Sequence, residues 1–425
     1  MSNGNSLRLP PRSQLGRVTE ADSFLWCTGI EDTFVLDPHS KTGRALDEYE
    51  LTGHYQHLND DLHRIAELGV SCARYGVPWY KCNPEKGVYD WSFADQAFET
   101  LLNLGVDPIV DLVHYGTPHW MEGSFLNPDF PRHMADFGAT LAQRYKERIK
   151  WFTPLNEPRI TAYYCGKLGN WPPYRSGWSG FVTVMLACCK GIVLTSQALA
   201  SVDPDIVRCH VDATDIYQAS EPAHQADAEL RQHIVFLALD LISGRVDSRH
   251  PLWEWVIRHG ASVRDLEWFL QNPVELDIVG INLYPMFSLK VSRKTGYRMP
   301  YAGNVGLVER LGKMYWERYQ RPIMITETAS AGSVRRRKAW LDESVADCQK
   351  LREQGIPLIG YTWWPLFSLV AWSYRKSQAP LSKYLIHMGL WDLGEGLARV
   401  RTPLIDAYKE TVKSGAPGKL EGVRA

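Results

Sequence analysis

Eight short apolar runs recur along this chain, and helix-patterned segments separate them. The runs are Phe24–Gly29, Cys72–Trp79, Pro108–His114, a run from Trp151 to Leu155, Ile206–Val211, Leu276–Asn282, Ile323–Glu327 and Leu358–Trp364. Each is of strand length, rich in β-branched and aromatic residues, and bounded by Gly, Pro or polar residues. The intervening segments carry apolar residues three or four apart, as in Tyr55, Leu58, Leu62, Ile65 and Leu68 within Glu48–Leu68. Strands that alternate with helices make parallel βα units, and eight such units close a barrel. The expected fold class is therefore α/β, a single (β/α)8 TIM barrel.

The chain has 425 residues, and neither a hinge-like linker nor an internal repeat divides it. Residues 1–20 are polar with scattered Arg and Pro and read as a flexible N-terminal lead. The barrel is expected over 21–415, with a C-terminal tail at 416–425. Ala213–Val274 is long for one crossover and should carry extra helices. The formal net charge of −1 implies no general attraction to nucleic acid or membrane. No apolar run in the sequence approaches the roughly 20 residues of a membrane span, and the lead lacks the apolar core of a signal peptide. The eight cysteines have irregular spacing without a Cys-x-x-Cys pair, which suits free, buried thiols in a reducing compartment. Together these features predict a cytoplasmic protein with no metal and no cofactor. Sixteen Trp and twenty Tyr exceed what a core requires, and flat aromatic faces suit a carbohydrate partner.

Chemistry in a barrel of this kind collects at the carboxyl ends of the strands. Trp151-Phe-Thr-Pro-Leu-Asn-Glu-Pro158 places Asn156 and Glu157 at such an end. Pro158 should stop the strand and bias Glu157 toward an extended backbone. Ile323-Met-Ile-Thr-Glu327 is a second apolar run ending in Glu. Two carboxyl groups converging on one cleft are what acid/base and nucleophilic chemistry at a sugar acetal requires.

Taken together these segments resemble glycoside hydrolase family 1, the β-glucosidase family of retaining (β/α)8 glycosidases, from about Phe24 to about Asp392. Thr-Pro-Leu-Asn156-Glu157-Pro resembles its Thr-x-Asn-Glu-Pro acid/base motif, and Ile-Thr-Glu327 resembles its nucleophile motif. Arg74 matches the arginine of the second strand. Val113-His114-Tyr115-Gly116-Thr117-Pro118 is similar to its His-Trp-x-x-Pro run. Gly280-Ile-Asn282-Leu-Tyr284 is similar to its Gly-Asn-Tyr-Tyr segment, and Gly360 through Trp372 parallels its Trp-rich eighth strand. The resemblance implies Glu157 as acid/base, Glu327 as nucleophile, and Arg74 and Tyr284 as donors to the nucleophile. It further implies sugar contacts from His114, Asn156, Asn282, Trp364 and Trp372.

The departures concern the far side of the sugar. The family carries Gln after the first strand and Glu beside Trp after the eighth. Here the first region reads Thr28-Gly-Ile-Glu31-Asp32-Thr-Phe34 without Gln, and Ala371 stands where the Glu belongs. Loss of one charge-assisted hydrogen bond costs about 1.5–3 kcal/mol. Plain β-glucosides are thus expected to bind weakly unless Glu31, Asp32 or another group replaces it. The implied activity is a retaining β-glycosidase with altered recognition of the outer hydroxyls. A 6-phospho-β-glycosidase reading rests on Arg375, Lys376, Ser382, Lys383 and Tyr384. The same two Glu residues would equally serve transglycosylation, with a sugar acceptor replacing water. Outside catalysis, the same pattern could belong to a sugar-binding protein without activity.

Overall fold

The computed structural model describes residues 8–420. Eight parallel strands close a barrel: β1 (Leu25–Gly29), β2 (Cys72–Gly76), β3 (Asp107–Asp111), β4 (Trp151–Thr153), β5 (Val207–Ala213), β6 (Ile278–Asn282), β7 (Ile323–Thr328) and β8 (Leu358–Trp363). Each pairs with its sequence neighbours, and β1 pairs with β8 to close the ring. The helices that follow them are α1 (Leu58–Glu67), α2 (Ser92–Asn103), α3 (Phe130–Arg144), α4 (Gly177–Val202), α5 (Gln225–Ile242), α6 (Leu307–Tyr319), α7 (Val334–Glu353) and α8 (Leu404–Lys413). The expected (β/α)8 architecture is the one observed. The 213–274 region holds the expected extra helices, Trp253–Arg258 and Val263–Gln271, after α5.

Side chains alternate across a strand, and that alternation builds the barrel interior in layers. Leu25, Cys27, Cys72, Ile109, Trp151, Val207, Cys209, Val211, Ile278, Met324 and Ile359 form one buried apolar cluster. Two residues further along, on the same face, come Arg74 from β2 and Asp111 from β3, and Asn282 ends β6. The apolar plug thus gives way to a polar layer at the carboxyl ends.

Several expectations need correction. Residues 8–20 are not a loose lead. They include a 3-10 segment, Arg12–Thr19, that seals the amino end of the barrel. Val18 is fully buried in the interior cluster. The Trp151 indole donates to the Pro10 carbonyl at 2.7 Å, and the Leu9 amide donates to Asp107 at 2.9 Å. Sparse but well-placed apolar residues do what a longer run would otherwise signal. At the other end of the chain, Leu420 in the expected tail is buried. Residues 1–7 and 421–425 lie outside the described range.

The long helix expected over Glu48–Leu68 is broken. Gly53 adopts φ 71°, and the chain re-enters a helix only at Leu58. The cysteines are not all free thiols. Cys27 and Cys72 are register partners on adjacent strands, with Cα atoms 5.1 Å apart, and are joined as a disulfide. The other six are free and buried. Helix α4 is long and apolar enough to cross a membrane by composition, but 61% of its apolar window is buried, and it packs against α3.

Val18 tests the seal. Val18→Ala removes a fully buried side chain from the barrel base and should cost about 2 kcal/mol. Gln14→Ala on the exposed face of the same segment should stay within about 0.5 kcal/mol. Chemical denaturation measures both. Equal, negligible effects would mean that Val18 does not anchor this segment in the barrel base.

Candidate active site

Arg74 is the centre of the polar layer. Its guanidinium is fully buried. One terminal nitrogen donates to Glu327 Oε1 at 2.5 Å. The other lies 2.6 Å from Asp111 Oδ2 and donates to Asn156 Oδ1 at 2.7 Å. The second Glu327 oxygen accepts from the Tyr284 hydroxyl at 2.7 Å. Glu327, Arg74 and Tyr284, the sequence candidates for nucleophile and support, are thus brought together.

Glu157 lies on the adjoining wall. Asn282 Nδ2 donates to its Oε1 at 2.7 Å, and the Tyr115 hydroxyl donates to its Oε2. The backbone that presents it differs from expectation. Strand β4 ends at Thr153, and Glu157 adopts a left-handed conformation, φ 47° and ψ 64°, rather than an extended one. Pro158 opens a short helix at its first position, where its missing N–H is not needed. The cause is visible on both sides. The Asn156 amide donates to the Val113 carbonyl at 2.9 Å and the Glu157 amide to the Val211 carbonyl at 3.2 Å. Bridging the β3 end and β5 in two consecutive residues requires the turn. Arg159 then pins the following helix by pairing with Asp215 at 2.6 Å.

Asn156 is a hub. Its carbonyl oxygen accepts from Arg74 and from Asn282 Nδ2 at 3.2 Å, which leaves its amide nitrogen against His114 Nε2 at 2.8 Å. That contact makes Nε2 an acceptor, so the imidazole proton sits on Nδ1, 2.6 Å from Asp32. His114 stacks parallel to Trp364 at 6.0 Å, and Arg74 lies over the same indole at 5.0 Å. Gly29 permits this packing, because a Cβ there would sit 2.2 Å from the Trp364 ring. Trp372 stands apart from this group. It packs with Tyr115, Tyr164 and Trp171 at 4.9–5.3 Å, forming an aromatic box over the Glu157 side.

Two participants were given no role from sequence. Asp111 and Tyr115 flank His114, and their spacing along the β3 end is the signal that could have found them. Glu31, a sequence candidate to replace the absent recognition groups, is buried. It accepts from Trp364 Nε1 at 3.0 Å and Thr33 Oγ1 at 2.6 Å. A cavity of about 370 Å3 opens beyond Tyr115, lined among others by Asp37, Thr117, His119, Glu122 and Tyr174. Asp32, Asp111 and His114 bring three metal-ligand-type atoms within 4.8 Å. Arg74 already sits on Asp111, and His114 Nδ1 lies 2.6 Å from Asp32 Oδ1, so fixed protein groups hold the places a dication would take.

Charge is unevenly supplied here. Burial pushes the Glu327 carboxyl up to about 8; Arg74 pulls it down, and Glu157 adds to the rise. Arg74 cannot fully offset the burial because Asp111 shares its charge. Tyr284 and Tyr115 are each pushed well up, by burial first and then by Glu327 and Glu157 respectively, so both remain O–H donors.

The sequence model "Glycosyl hydrolase family 1" matches residues 27–233. Over that stretch, just under half of its length, this chain is similar to that family. Among curated relatives, "Aryl-phospho-beta-D-glucosidase BglA" of Bacillus subtilis is 23% identical, over 86% of this chain and 87% of its own length. "Beta-glucosidase 47" of Arabidopsis thaliana is 26% identical over 39% of this chain. That alignment spans 31% of the plant protein, and the chain likewise spans about a third of two further plant relatives. The fold is shared with the β-glucosidase of Thermotoga maritima solved in complex with glucoimidazole. That match has a TM-score of 0.81 and 18% identity, over 93% of this chain and 98% of that one.

The shared guanidinium generates a test. A carboxyl-13C NMR titration should place the Glu327 midpoint well above the ordinary glutamate range, toward 8. Asp111→Asn should lower it, because Arg74 would then serve Glu327 alone. A midpoint near 4.5 in the parent protein would show that Arg74 already compensates Glu327 fully.

Proposed function

We propose that this protein is a retaining β-glycosidase working by double displacement. The observation that carries this reading is two buried carboxyl groups in one polar layer, each with its own donor set. Arg74 and Tyr284 hold Glu327; Asn282 and Tyr115 hold Glu157. In the first step an oxygen of the ionised Glu327 carboxylate bonds to the anomeric carbon as the glycosidic C–O bond breaks. Glu157 gives its proton to the departing oxygen. In the second step Glu157 takes a proton from water, whose oxygen displaces Glu327. Arg74 and Tyr284 fix the nucleophile, and Asn156, with one amide hydrogen left over, faces the sugar. A sugar acceptor in place of water makes the same steps a transglycosylation. A purely sugar-binding role leaves this paired arrangement of acids without a purpose.

The basic loop does not favour a phosphate. Arg375 is buried and donates to the carbonyls of Asn170 and Asp37 at 2.8 and 2.7 Å, and to the Tyr174 hydroxyl at 2.8 Å. Lys376 donates to the Asn170 side chain. These two cations latch loops together. Ser382 and Lys383 are exposed.

Glu327→Gln should lower turnover of aryl β-glycosides by about four orders of magnitude or more, since an amide cannot form the glycosyl ester. Near-parental turnover in a preparation free of host glycosidases would remove Glu327 from this role.

Glu157→Ala should slow glycosylation by poor leaving groups far more than by activated ones, by about 100-fold or more. Azide should restore the second step and yield a β-glycosyl azide, identified by NMR. Equal losses for both leaving groups, with no azide product, would rule out Glu157 as acid/base.

A further inference from the structure

We infer that Glu31 grips the outer hydroxyls of the sugar, and that the sugar it takes bears no phosphate at those positions. The inference rests on the glycosidase reading above and specifies its substrate class. Glu31 lies two residues beyond the end of β1, at the carboxyl end of the barrel where the catalytic pair sits. It is 6% exposed. Trp364 Nε1 and Thr33 Oγ1 hold its two oxygens, one donor each. A carboxylate oxygen has two acceptor sites, so each retains one for a ligand. The side chain is thus both fixed and unsaturated, as a hydroxyl-binding group needs to be.

Its surroundings connect it to the reaction centre. Trp364 is the indole that lies under Arg74 and parallel to His114. The charge of Glu31 reaches Glu327, Tyr284 and His114. Ala371, on the loop after β8, has no carboxylate to offer. Glu31 supplies one from the loop after β1 instead, anchored by the β8 tryptophan.

The same placement excludes a phosphate. Asp32 is its chain neighbour, and the Glu48 carboxyl nearby is pushed well up by burial and then by Glu31, so it offers no cation. The cation under the Trp364 indole is committed, Arg74 to Asp111 and Glu327, and the His114 Nδ1 faces Asp32. A phosphate dianion brought against Glu31 meets like charge, while neutral hydroxyls or an ammonium group find an oriented acceptor.

The test uses 4-nitrophenyl β-glucoside and β-galactoside, each with and without a 6-phosphate, on the parent protein and Glu31→Gln. The parent should favour the unphosphorylated member of a pair by about 100-fold or more in kcat/KM. Glu31→Gln should lose about tenfold or more on that member, and the phosphate preference should narrow. Thermal unfolding and labelling of Glu327 by a 2-deoxy-2-fluoro glycoside establish that the variant is folded and chemically competent. A parent that prefers the 6-phosphate, or a folded Glu31→Gln with unchanged kcat/KM for every substrate, overturns the assignment of Glu31 and leaves the glycosidase reading intact. Turnover of no substrate, with Glu327 unlabelled in the parent, overturns that reading and this inference with it.

Discussion

The site depends on a single buried guanidinium. Arg74 enters the barrel interior because it lies on the same face of β2 as Cys72, one side-chain position nearer the carboxyl end. A buried charge without partners is costly by several kcal/mol. Asp111, Glu327 and Asn156 are those partners. From Arg74 the order passes outward. Asn156 has its amide orientation set, and that orientation sets the His114 tautomer and engages Asn282; Asn282 in turn holds Glu157. The two acids are therefore not independent groups that share a cleft. They are opposite ends of one hydrogen-bonded chain with Arg74 inside it.

The parts of this arrangement written in period-two alternation were legible in the sequence. All eight strands begin and end within a few residues of their expected positions, and Arg74, Tyr284 and Glu327 meet at the strand ends as the resemblance implied. What was not legible depends on contacts between distant segments. The left-handed turn at Glu157 comes from amides bonding to the β3 end and β5, which no local pattern around Pro158 reveals. Residues 8–20 look solvated by composition, yet Val18 is decisive because the barrel base offers it a socket. Arg375 reads as a free basic residue until Asn170, Asp37 and Tyr174 are seen around it. The Cys27–Cys72 bond follows from strand register, not from cysteine spacing.

The chain also separates two kinds of change that a family can undergo. Groups at the reacting centre are fixed by one another, so altering any of them leaves an unpaired buried partner. Groups proposed for the outer end of the sugar stand on different loops and can exchange duties. Ala371 offers no carboxylate, while Glu31, proposed above for that duty, stands on the Trp364 indole. Tyr115 is the intermediate case, since its hydroxyl reaches Glu157 while its ring belongs to the aromatic box with Trp171 and Trp372.

The left-handed backbone at Glu157 has a consequence for how this molecule fails. A non-glycine residue in that region stores about 1–3 kcal/mol of strain and persists only while its surroundings hold it. The restraint is two amide bonds to carbonyls just past β3 and within β5. Should those two strands part at their carboxyl ends, the turn relaxes and the carboxyl swings away while the apolar plug below stays closed. Local opening of this kind requires less free energy than global unfolding. On heating, the proposed acid/base is then expected to leave its place while most of the secondary structure survives, so that inactivation is set by this corner of the barrel rather than by its core.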